Sequence, residues 1–75
     1  MPANTYDPEA DAAYVHLGDA AVTDSEEVAP GVVLDFDADG LVVGVELLNA
    51  SKTLATGAWT RWPLPDRDAH SHAAE

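Results

Sequence analysis

Apolar residues in this chain come in short blocks, many of them Val or Leu, and turn-forming residues separate the blocks. Blocks this short, bounded by Gly, Pro and Asp, predict strands rather than helices. Ala12 to Leu17 forms the first clear strand, Val32 to Phe36 the third and Leu41 to Leu48 the fourth. Between them, Val22 to Val28 is a polar strand containing Asp24, Ser25, Glu26 and Glu27. Such a strand suits a sheet edge, where charges discourage pairing with foreign strands. A short strand around Thr5-Tyr6 is placed to pair with the first. The predicted turns are Asp7-Pro8-Glu9-Ala10-Asp11, Gly18-Asp19, Pro30-Gly31 and Asp37-Ala38-Asp39-Gly40.

Parity then predicts a register. With Phe36 opposite Leu41, Leu34 faces Val43 and Val32 faces Val45, and one face of that hairpin becomes continuous apolar surface. A slip of one residue pairs Phe36 with Val42 and Leu34 with Gly44, and exposes Val43 and Val45. Ala13, Val15 and Leu17 supply the same face from the first strand. The expected fold is mainly β: a small antiparallel meander of four to five strands with a short C-terminal arm or helical turn. A one-sided sheet needs a cover, and a helix, a tail or another copy must supply it. A homodimer is therefore expected.

After the last strand the pattern weakens. Asn49 or Ser51 could cap a short helix, with Lys52 to Thr56 barely one turn before Gly57. Ala58-Trp59-Thr60-Arg61-Trp62 reads as a strand or an extended arm, ended by Pro63 and Pro65. Residues 1–65 make one small domain including this arm. Residues 66–75 contain no large apolar side chain and read as a disordered tail.

Composition sharpens the expectation of a second copy. Of 75 residues 47% are hydrophobic, but 14 of these are alanines, which leaves 21 larger apolar side chains for a core. A domain this small is marginal alone. Without cysteine it has neither a disulfide staple nor a thiolate metal site. No apolar run reaches the length of a membrane span, and the N-terminus lacks the basic-then-apolar pattern of a signal peptide. The expected compartment is the cytoplasm.

The net charge is −11, and its distribution matters more than its size. Residues 1–51 hold 11 acids and no Lys or Arg, whereas residues 52–75 hold three of each sign. This field repels nucleic acid and anionic membrane and attracts basic proteins and cations. Nucleic acid and membrane are excluded as expected partners, and a basic protein is favoured. Solubility alone would also account for the charge.

Three stretches carry a family resemblance. They are Tyr6-Asp7-Pro8-Glu9-Ala10-Asp11-Ala12-Ala13-Tyr14-Val15, Ser25-Glu26-Glu27-Val28-Ala29-Pro30-Gly31-Val32, and the run from Leu34 to Ser51. In this order and spacing they resemble the small bacterial family called domain of unknown function 2283. The resemblance implies no catalytic residues. Because members often sit beside small toxin-like genes, it implies an antitoxin-like role. The helical continuation usual after the Ala-Ser pair is replaced here by the Trp-containing arm.

Two constellations could carry chemistry. Asp35, Asp37, Asp39, Gly40 and Glu46 match the calcium-loop pattern D-x-D-x-D-G-x5-E. However, the flanks are strands rather than helices, and an extended chain carries Glu46 roughly 15 Å from the turn. A plain acidic hairpin turn is the expectation, with Asp35, Asp37 and Asp39 as the weak metal candidates. The second constellation lies opposite the apolar face. There Asp35 neighbours Val42, Gly44, Glu46 and Leu48 follow, and Tyr14, His16 and Glu27 project from neighbouring strands. Glu46 or Asp35 could act as a general base with Tyr14 or His16 as donor, if burial raised a carboxylate pKa. A solvated sheet face would look the same in sequence. Nothing places a serine beside His16, no phosphate-cradling glycine loop is present, and no cofactor is expected.

Two functional readings follow. In the first, the chain is a small acidic protein-binding module, antitoxin-like, that neutralises a basic protein. Glu26 and Glu27 supply charge, and Trp59 and Trp62 supply apolar anchors. In the second it is a small homodimeric enzyme or ligand-binding protein. That protein would use Tyr14, His16, Asp35 and Glu46, or a pocket at the dimer seam. The tryptophan arm could equally fold back over its own sheet.

Overall fold

The computed structural model of the protein describes residues 4–65, so the expected tail at 66–75 lies outside the described residues. Five strands form one antiparallel sheet: β1 (Thr5–Asp7), β2 (Ala12–His16), β3 (Asp24–Ala29), β4 (Val32–Phe36) and β5 (Val42–Leu48). Their order is β1-β2-β5-β4-β3, so the polar strand is an edge, as its charges predict. Two units compose the sheet, a β1–β2 hairpin and a β3–β4–β5 meander, joined where β2 pairs with β5. A four-residue helix α1 (Ala50–Thr53) and a 3-10 turn η1 (Ala58–Arg61) follow.

The β4–β5 register differs from the parity expectation, and the turn explains why. Asp37 N–H donates to the Leu41 carbonyl at 2.9 Å and Gly40 N–H to the Asp37 carbonyl at 3.0 Å. This makes a three-residue loop closed by Gly40 at φ 81°, a left-handed conformation that favours glycine. Phe36 therefore pairs with Val42, which is the slipped register. A bulge then inserts Val43, so that Asp35 opposes Gly44, Leu34 opposes Val45 and Val32 opposes Leu47. The extra residue restores the parity that the turn had broken. Val43 is 6% exposed, whereas Leu41, its predicted neighbour on the apolar face, is 64% exposed.

Register assigns the two faces. Cross-strand pairs put Val32, Leu34, Val45, Leu47, Val15, Ala13 and Tyr6 on one side. The other side carries Asp7, Ala12, Tyr14, His16, Gly44, Glu46, Leu48, Val33, Asp35, Ser25 and Glu27. The apolar face is thinly covered. Among the described residues only Ala13, Val43 and Ala50 are buried apolar side chains, and no large side chain is fully enclosed.

The segment after β5 departs from expectation in two ways. First, Asn49 takes the N-cap position of α1 at φ 55°, but its side chain makes no capping bond. The cap comes instead from Asp11 in the β1–β2 turn, itself at φ 54°. Its carboxylate accepts from Ser51 N–H at 3.0 Å and Ser51 Oγ at 2.7 Å, and its carbonyl accepts from Ala50 N–H at 2.9 Å. These bonds satisfy amide donors that a helix start leaves open. Second, residues 58–61 are a 3-10 turn rather than a strand. Thr60 Oγ1 donates to the Gly57 carbonyl at 2.8 Å and competes with an extended course. The arm folds back on the sheet. The Trp59 ring meets the Tyr6 ring edge-on at 4.9 Å, and Tyr6 N–H donates to the Pro63 carbonyl at 2.9 Å.

Candidate functional site

The polar face of the sheet is where sequence parity and structure converge. Two cross-strand rows build it. One runs Ser25, Asp35, Gly44, His16 and the other Glu27, Val33, Glu46, Tyr14. Three strands thus bring Tyr14, His16, Asp35 and Glu46 onto one patch. The expected neighbour of Asp35 was Val42, and the bulge at Val43 puts Gly44 there instead.

That exchange shapes the patch. Tyr14 leans across β5 over Gly44, and its hydroxyl donates to Asp35 Oδ2 at 2.7 Å. A Cβ added to Gly44 would overlap the Tyr14 hydroxyl and ring carbons. Ser25 Oγ donates to the second oxygen, Asp35 Oδ1, also at 2.7 Å. Asp35 is therefore clamped from both sides by hydroxyls from β2 and β3. The His16 ring packs edge-on against Tyr14 at 4.8 Å, and its backbone N–H donates to Asn4 Oδ1 at 3.0 Å.

The electrostatics follow from this geometry. Burial, the hydrogen bond to Asp35, and the charges of Asp35 and Glu46 all push the Tyr14 phenol well above its ordinary value of 10. Tyr14 is a neutral donor held to its carboxylate. Both Asp35 oxygens are engaged, so this arrangement presents a fixed anionic surface more readily than a free general base. A shallow depression of about 370 Å³ lies at the β3–β4 turn, lined by Glu27, Val28, Ala29 and Pro30, away from the Tyr14–Asp35 pair.

The other candidate residues lie apart from one another. Asp37 Oδ1 accepts from Asp39 N–H at 2.9 Å and Leu41 N–H at 3.0 Å, so its carboxylate holds the hairpin turn. Asp35 faces the Tyr14 patch and Glu46 sits on β5 opposite Val33 and Tyr14. The residues of the calcium-loop pattern thus diverge, and no group of three metal-binding side chains occurs among the described residues. Glu26 and Glu27 are exposed on β3 and project to opposite faces, with Glu27 accepting from Gly31 N–H at 3.1 Å. Trp59 and Trp62 are half-buried beside β1, and Trp59 Nε1 donates to the Ala55 carbonyl at 2.6 Å. Ser25 is the site residue that sequence reasoning did not single out. Its signal was available, since it alternates with Glu27 on a strand and so shares its face.

No helix among the described residues is long and apolar enough to cross a membrane. No curated protein and no solved structure matches the chain. One family model does, described as Protein of unknown function (DUF2283), and its match runs over residues 4–51. That span covers all five strands and the Asp11–Ser51 cap, so the chain belongs to the DUF2283 family.

Proposed function

We propose that the protein is a small acidic protein-binding module, antitoxin-like in masking a basic partner. The observation that carries this reading is the charge of the polar face and its edge. Asp35, Glu27 and Glu46 lie on one face, Asp24 and Glu26 extend the field along the fully exposed strand β3, and residues 1–51 contain no Lys or Arg. A one-signed surface speeds encounter with an opposite one and penalises wrong partners. Tyr14 and His16 add aromatic contact area inside the anionic field. The Tyr14 and Ser25 hydroxyls hold Asp35 in place, so little side-chain freedom is lost when a partner docks.

The test is capture of partners from a native extract by the tagged protein, washed at low and at high salt and identified by mass spectrometry. The expected outcome is a stoichiometric basic protein retained at low salt and released at high salt. Its retention should fall in the double variant Glu27→Gln with Glu46→Gln. Recovery of the bait alone at low salt would overturn the reading.

A further inference from the structure

The face opposite the polar patch has no use in the reading above. Val15, Val32, Leu34, Val45 and Leu47 stand on it only half-buried, and Phe36 at the end of β4 is likewise half-buried. Register sends the strand acids Asp7, Glu27, Asp35 and Glu46 to the other side. The only strand acids paired with apolar-face residues are Asp24, opposite Phe36, and Glu26, opposite Leu34, both on the β3 rim. The far rim is different. There η1 packs beside β1 and carries the exposed Arg61, whereas Lys52 on α1 sits by Asp11 at the β1–β2 turn. The face therefore has an uncharged centre, an acidic rim along β3 and Arg61 beyond β1.

We propose that a second copy of this chain covers that face, in a two-layer sandwich whose two-fold axis runs parallel to the strands. That axis lays the β3 rim of one copy over the β1–η1 rim of its partner, so Asp24 and Glu26 approach the partner copy's Arg61. An axis in the plane but across the strands would instead stack β3 on β3 and crowd four carboxylates together, which like-charge repulsion opposes. The polar faces point outward from both layers. At the roughly 10 Å spacing of packed sheets, the opposed acids stay at or beyond a Debye length. The pattern is complementary to itself, as a two-fold interface requires. A purely basic partner would match only the β3 rim. Five strands of about five residues present roughly 400 Å² of projected area per copy. That is below the usual size of a stable specific interface, so the dimer is weak and exchanges with monomer as concentration changes.

Analytical ultracentrifugation of the full chain from micromolar to millimolar concentration, at about 0.1–0.15 M salt where the Debye length is roughly 8–10 Å, tests this. The expected result is a reversible monomer–dimer equilibrium. Glu26→Lys and Arg61→Glu, both at exposed positions, should each weaken association about two- to ten-fold. The double charge swap should restore it. A chain that stays monomeric at millimolar concentration overturns the proposal and leaves the face to another partner. A dimer indifferent to both reversals, or not restored by the swap, overturns the parallel axis. Neither result bears on Glu27 and Glu46, so the partner-binding reading stands or fails separately.

Discussion

Tyr14 reaches Asp35 only because residue 44 has no side chain. The phenol crosses β5 directly above Gly44, and any Cβ there would occupy the space of its hydroxyl. A glycine inside a strand weakens it by roughly 0.5–1 kcal/mol, so its presence needs such a reason.

Gly44→Ala should destabilise the protein by about 1–3 kcal/mol in urea denaturation, because the ring must be displaced from a packed position. Tyr14→Ala removes the obstruction. The double variant should then be more stable than the sum of the two single losses predicts, by at least about 0.5 kcal/mol. Simple additivity would show that the ring and the glycine are not in contact.

Alkaline pH tests the same pair. Folding raises the Tyr14 pKa, so its contribution is complete below the unfolded value of about 10 and is lost as pH rises through the folded value. In Tyr6→Phe, where Tyr14 is the sole remaining tyrosine, the ultraviolet phenolate signal should emerge at higher pH than in the urea-unfolded chain. Coincident titrations of the folded and unfolded chain would contradict the half-buried, Asp35-bonded phenol.

Acid tests the helix cap. The Ser51 hydroxyl, then the Tyr6 hydroxyl, hold the Asp11 carboxyl below its ordinary value of 3.8. Its stabilising effect is therefore present above that value and is lost as pH falls through the lower folded value. Asp11→Gly keeps the left-handed backbone while removing the cap, so it should lower stability at neutral pH and flatten the acid limb. An unchanged acid limb would mean that the carboxylate does not serve the folded state.

The hairpin turn gives a fourth check. Asp37→Ala removes an acceptor shared by two backbone amides and should cost about 1–2 kcal/mol, whereas Asp37→Asn keeps an acceptor and should lose less than half of that. Asp39 uses its backbone rather than its carboxylate in this turn, so Asp39→Asn should change stability by no more than about 0.5 kcal/mol. Calcium titration followed by calorimetry would detect any cation role these losses conceal.

Which side chains share a face was legible in the sequence, because alternation has a period of two and survives an even change of register. Tyr14, His16, Asp35 and Glu46 could therefore be grouped before their strands were placed. The pairings themselves were not legible. They depend on a three-residue loop closed by Gly40 and a compensating bulge at Val43, and hydrophobic alternation encodes neither. The cap on α1 was hidden for another reason. Asp11 and Ser51 lie forty residues apart, and local capping rules look only at Asn49 and its neighbours. The course of the tryptophan arm was open to the same degree, since its contact with Tyr6 joins residues more than fifty positions apart.

That last contact bears on the order in which the molecule assembles. Strand β1 is held on one side by β2 and on the other by the Pro63 carbonyl and the Trp59 ring, more than fifty residues along the chain. Closing so long a loop costs entropy that the β3–β4–β5 meander, built from short turns, does not incur. The meander can form first, and the β1 edge is sealed last. In the native protein the same hierarchy runs backwards. The Tyr6 amide should exchange with solvent deuterium through local opening, while the amides of β5, at the centre of the sheet, wait for global unfolding.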